Sequence, residues 1–163
     1  MIFDCASIFV LCLHNQALHK EVVVSENLEA NLVINILNLQ SKIQNKVGRA
    51  LSAHGISLSE YLVLNQLYVA TNQKMRRSDL AEQVGLSPSG VTRLLNPMEK
   101  IGLIEKEENP RDARVSLVVL SETGKKVTEE AKTSFEYSSI TLFELLDKKQ
   151  LSAFSELLKV VSK

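Results

Sequence analysis

Residues 78–125 read SDLAEQVGLSPSGVTRLLNPMEKIGLIEKEENPRDARVSLVVLSETGK, and the punctuation of this stretch decides the fold. Its spacing predicts a short helix over Asp79–Val84, capped by Ser78 and stopped at Gly85. Ser87-Pro88 is a helix cap followed by proline at the first helical position. It opens a second helix whose apolar face is Val91, Leu94, Leu95 and Met98. The period then changes from that of a helix to that of a strand. Leu103-Ile104 begins one strand, Asn109-Pro110-Arg111-Asp112 forms a turn, and Val115, Leu117 and Val119 alternate with Ser116, Val118 and Leu120 in another. Both faces of that second strand are apolar toward its end, so it is expected to be half covered. Two helices around a tight turn through Gly85-Leu86-Ser87 make a helix-turn-helix, and the hairpin after them makes a wing. Pro97 lies inside the second helix and removes the bond to the carbonyl of Arg93. A bent carboxyl end with intact preceding turns is the expectation there.

The flanks are helical. Ser25 is positioned to cap a helix in which Leu28, Leu32, Ile36, Leu39, Ile43, Val47 and Ala50 recur at spacings of three and four. Gly55 follows its end. Ser57 with Glu60 forms a capping box for a helix carrying Tyr61, Leu64, Leu67 and Tyr68. Ser121 caps a long helix reaching to about Leu146, and Asp147 with Gln150 boxes the start of a last one. The fold class is therefore mainly α (α+β), a winged helix-turn-helix lobe with a two-stranded β wing between long N- and C-terminal helices. Their apolar stripes are longer than so small a lobe can cover. A second copy of the chain is the simplest cover, which makes them dimerisation helices in a homodimer. The organisation expected is an apolar extension at 1–24 and one domain at 25–163. Within it, 25–54 and 121–163 dimerise and 57–120 form the winged helix-turn-helix.

Composition narrows the function. Among 163 residues, Lys plus Arg and Asp plus Glu are both 19, which excludes a generally polycationic nucleic-acid binder but not a local basic face. Two cysteines without a C-x-x-C pair support neither a disulfide scaffold nor a zinc module. No apolar run reaches the roughly 18–20 residues that span a bilayer, so a cytoplasmic protein without membrane contact is expected. Residues 2–13, IFDCASIFVLCL, are apolar, but Asp4 stands where a secretory signal carries positive charge. Cys5, Cys12, His14 and His19 lie close in sequence and admit a metal or redox site. The alternative is two buried thiols in an apolar packing segment. No paired acids, Ser-His or Cys-His arrangement or phosphate loop is placed to form a catalytic site, so neither enzyme activity nor a cofactor or metal is expected.

The residue chemistry of the winged lobe points to double-stranded DNA. Residues 74–114 hold eight basic and seven acidic residues, so placement matters more than net charge. Ser87, Ser89, Gly90, Thr92 and Arg93 crowd the first turns of the second helix of the motif. A helix start offers free N–H groups and a positive dipole end to a phosphate, and small side chains allow close approach. An arginine one turn on can reach a guanine edge. Ser87 can instead serve only as the cap. Arg111 and Arg114 flank the wing turn, where they either contact DNA or form a solvated tip. Asp112 holds Arg114 or fixes the turn. Arg76 and Arg77 are candidate phosphate contacts. Glu105, Glu107 and Glu108 would repel phosphate, so only the wing tip should approach it.

With the Asp112-Ala113-Arg114 wing, the LSETGK helix start and the GIS-x-x-EY entry at Gly55–Tyr61, residues 25–163 resemble the MarR (multiple antibiotic resistance regulator) family of transcription factors. The resemblance implies a dimeric, sequence-specific regulator on a pseudo-palindromic operator, more often a repressor. It places Arg114 in the minor groove. It also implies a small aromatic or phenolic effector in a crevice, for which His54, Tyr61 and Tyr68 are candidate lining residues or structural ones. Other members sense oxidants through a cysteine near the first long helix. No cysteine lies within 25–163, which leaves only Cys5 and Cys12 for a redox-sensing alternative. A winged-helix protein-interaction module is the other alternative, and it would be indifferent to loss of Arg93 and Arg114.

Overall fold

The computed structural model of the protein describes residues 27–108 and 116–162. In chain order the elements are α1 (Leu28–Ser52), α2 (Leu58–Val69), a 3-10 turn (Thr71–Gln73), β1 (Lys74–Arg76), α3 (Arg77–Gln83) and α4 (Pro88–Lys100). They continue with β2 (Ile104–Glu108), β3 (Ser116–Leu120), α5 (Glu122–Leu142) and α6 (Lys148–Val161). The chain divides into two units, residues 1–42 and 43–163. The described part of the first is the amino-terminal portion of α1, where Leu28, Leu32, Val33, Ile34, Ile36 and Leu37 are all exposed. The expected Ser25 cap lies outside the described residues.

The second unit holds the core. Val47, Leu51, Leu64, Leu67, Leu80, Val91, Leu95, Met98, Ile104 and Val118 are almost completely buried within it. Burying such side chains stabilises by about 1.5–3 kcal/mol each before the entropy of ordering them. The apolar periodicity of α2, α4 and β3 converges on this one cluster, and that convergence orients α4.

Local bonds set the element ends. The Ser57 side chain accepts from the Glu60 N–H while Glu60 reaches back to the Ser57 N–H at 2.7 Å. Asp147 and Gln150 repeat the arrangement at α6. Helices α3 and α4 both stop at left-handed glycines, Gly85 at φ 67° and Gly102 at φ 74°. Just beyond them the N–H groups of Leu86 and Leu103 close back on the carbonyls of Ala81 and Met98, each at 2.9 Å. These glycines give the turn of the motif and the entry to the wing.

Three details differ from the sequence expectations. The hairpin β2–β3 is present, but β1 pairs with the other side of β3, giving an antiparallel three-stranded sheet of order β1-β3-β2. On one face of the central β3 Val118 and Leu120 are buried, and on the other Leu117 and Val119 are half-buried. The third helix starts at Arg77 and is not capped by Ser78, whose hydroxyl donates to Asp79 Oδ1 at 2.9 Å. Arg76, paired with Leu117 as the last strand residue, is the N-cap, and its side chain makes no capping bond. Helix α5 ends at Leu142 rather than near Leu146, with Phe143 as its carboxyl cap.

Pro97 is exposed, and α4 continues past it to Lys100 with the preceding turns intact. The missing N–H still leaves the Arg93 carbonyl without its helical donor. Pro97→Ala restores that bond and is expected to raise the unfolding free energy by about 1–3 kcal/mol. Urea denaturation checks this, and an unchanged or lower stability would contradict it.

Candidate nucleic-acid interface

Helix α4 presents one face to the core and another to solvent. Val91, Leu95 and Met98 are buried, whereas Ser89, Arg93, Asn96, Pro97 and Lys100 are exposed. At 3.6 residues per turn, Ser89, Arg93, Asn96 and Lys100 fall on a single stripe opposite the buried face. The sequence reading included Ser89 and Arg93 but stopped before Pro97, so it missed Asn96 and Lys100. The helical period that places Arg93 outward also places both of these.

At the start of the helix the Ser87 hydroxyl accepts from the Gly90 N–H at 3.0 Å, so Ser87 is a cap. Its oxygen also lies 3.2 Å from that of Ser89. Gly90 is held close to this cap: a Cβ there would stand 3.1 Å from the Ser87 oxygen. The Thr92 hydroxyl donates to the Pro88 carbonyl at 2.8 Å, which spends its proton within the helix and leaves it as an acceptor. Ser87, Ser89 and Arg93 are therefore the exposed members of the predicted set, with Gly90 and Thr92 half-buried. Arg76, the last residue of β1, and Arg77, the first of α3, are both exposed. Arg111, Asp112 and Arg114 lie outside the described residues, as do Cys5, Cys12, His14 and His19.

Ion pairs tie up part of the lobe's charge. Lys74 donates to both Glu107 oxygens, at 3.1 and 3.3 Å, across the sheet, and Lys106 pairs with Glu99 of α4. Being solvent-exposed, these pairs contribute little stability. They do neutralise two acids near the wing base while withdrawing two of the lobe's cations.

The three residues considered for an effector crevice or a structural role all contact α5. His54 Nε2 lies 2.8 Å from the Ser134 hydroxyl. Tyr61 is buried and stacks on Phe135 with ring centroids 4.7 Å apart, and burial, then the Glu136 charge, raises its hydroxyl pKa. Tyr68 donates to Glu129 at 3.0 Å, and that bond and charge raise its pKa too. None of them lines the surface cleft of about 520 Å³ bordered by Gln44, Gly48, Ser52 and Gly55–Leu58.

Comparison with known proteins agrees with this geometry. Residues 56–116, from the entry to α2 to the first residue of β3, match the family model described as MarR family. The match covers less than half of the chain, whose winged lobe resembles the MarR family. Among curated proteins the chain is 26% identical over 132 residues to the HTH-type transcriptional regulator PapX of Escherichia coli, covering 74% of this chain and 80% of PapX. It is 30% identical over 94 residues to the transcriptional repressor MprA of Escherichia coli, covering 58% of this chain but only 53% of MprA. A mutant MarR from E. coli complexed with operator DNA superposes with a TM-score of 0.75 at 22% identity, over 85% of this chain and 96% of that one. At that identity the likeness is one of fold. The curated proteins the chain resembles are transcriptional regulators. No helix among its described residues is long and apolar enough to cross a membrane.

Proposed function

We propose that the chain acts as a homodimer that reads a pseudo-palindromic operator in double-stranded DNA and represses transcription from it. The observation that carries this reading is the exposed polar stripe of α4, held outward by burial of Val91, Leu95 and Met98 on its other side. In this reading the first turns of α4 (Ser87, Ser89, Gly90, Thr92 and Arg93) enter the major groove. Arg76 and Arg77 meet phosphates, Arg114 reaches the minor groove beside Arg111, and Asp112 holds the wing arginine. Residues 57–120 form the reading lobe, and 25–54 with 121–163 the dimerisation helices. Exposed Leu28, Leu32, Leu157, Leu158 and Val161 support that last assignment, since an apolar helix stripe left in water requires cover.

A small aromatic or phenolic effector belongs to this reading through the family. The cleft beside Gly48 and Gly55 is of ligand size, but its lining holds no cationic side chain, so an anion is not assigned to it.

Two-fold symmetry sets the test. Half-sites about one helical turn apart should bind two protomers per duplex in sedimentation experiments. Inserting about half a turn of DNA between the half-sites turns the second to the opposite side of the duplex and should weaken binding at least about tenfold. One protomer per duplex, or affinity indifferent to the insertion, would contradict the dimeric reading.

A further inference from the structure

We propose that Asn96 is a base-reading residue of α4 that recognises an adenine neighbouring the base read by Arg93. The inference rests on the DNA-binding reading above and adds a residue and a base to it. Asn96 is exposed on the stripe formed by Ser89, Arg93 and Lys100, opposite the buried Val91, Leu95 and Met98. The side-chain hydrogen bonds and ion pairs of this segment, among the described residues, engage Ser87, Ser89, Thr92 and Glu99. The Asn96 amide is not among them.

Its chemistry suits a purine edge. An asparagine amide carries a carbonyl acceptor and an amino donor side by side, matching the N6 donor and N7 acceptor that adenine shows in the major groove. Positions i and i+3 on a helix have Cβ atoms about 5–6 Å apart and differ in height by about 4.5 Å. Stacked base pairs repeat every 3.4 Å or so. Arg93 and Asn96 can therefore address neighbouring pairs while Lys100, a turn further on, reaches the backbone.

Fold stability does not explain Asn96. Asparagine is a poor residue for a helix interior, and Pro97 follows it, yet the exposed side chain packs against nothing in the core. Asn96→Ala should accordingly fold at least as well as wild type.

The test is selection from a randomised duplex library by full-length wild type, Asn96→Ala and Lys100→Ala, with thermal unfolding recorded for each. Wild type should enrich a half-site with a required adenine. Asn96→Ala should relax that one position by about 5- to 150-fold, keeping the other positions and the salt dependence. Lys100→Ala should weaken all sequences alike and lower the salt slope by about one phosphate-equivalent per protomer. An unchanged preference in Asn96→Ala overturns the proposal, as does a uniform loss at every position. If wild type enriches no sequence, the DNA reading falls and this assignment with it. A wild-type site that Asn96→Ala still reads in full removes only the assignment.

Discussion

Gly124→Ala is expected to destabilise the fold by about 3 kcal/mol or more, lowering the melting temperature on the order of 10 °C. A Cβ at residue 124 would stand 2.0 Å from the Leu103 carbonyl oxygen and 3.0 Å from the Leu103 carbonyl carbon and from Leu120 Cδ1. The nearest obstacle is backbone, so a rotamer change cannot relieve it. Nor can Leu103 shift freely. Its carbonyl accepts from the Ser121 N–H at 3.2 Å, the Ser121 hydroxyl donates to the Gly102 carbonyl at 2.6 Å, and the Gly124 N–H donates to that hydroxyl at 2.9 Å. The end of α4, the start of β2 and the start of α5 meet at this point. Gly48→Ala is the control: nothing lies within 4 Å of the added methyl group, and it should gain about 0.5–1 kcal/mol from helix propensity. Equal effects of the two substitutions in urea unfolding would contradict the account.

Loss of the two arginines should be as large on the binding side, and different for each. Arg93→Ala removes a candidate guanine contact and is expected to cost about 1–3 kcal/mol per protomer on the operator, while binding to unrelated DNA falls much less. Arg114→Ala should lower affinity and flatten the dependence of log affinity on log salt by about one phosphate-equivalent per protomer where that arginine meets backbone. Fluorescence anisotropy across a salt series separates the two. Unchanged affinity and slope for Arg114→Ala would remove that residue from the interface, and equal losses on operator and unrelated DNA would make Arg93 a phosphate contact only.

What the sequence made legible was local. Ser57 with Glu60, Ser87 with Pro88, Ser121, and Asp147 with Gln150 each act on backbone within three residues, so their spacing alone located the helix starts. The features it concealed depend on distant partners. Lys74–Arg76 is too short to show alternation and becomes a strand only by pairing with Leu117–Val119. The same sheet brings Lys74 to Glu107, which no charge count along the chain reveals. Gly124 reads as an ordinary helix-interior glycine until Leu103 is seen against it. Asn96 is the converse case: the helical period that turns Arg93 outward was already in the sequence and places Asn96 beside it.

In the proposed function the exposed face of α4, with the wing, reads a specific DNA sequence. The most direct measurement of that reading is selection of fragments of the source genome by full-length wild type and by Arg93→Ala/Arg114→Ala, side by side at near-physiological salt. Enrichment of one palindromic site by wild type alone is the predicted result. Enrichment of the same site by both proteins, or of none by a folded wild-type dimer, would contradict it.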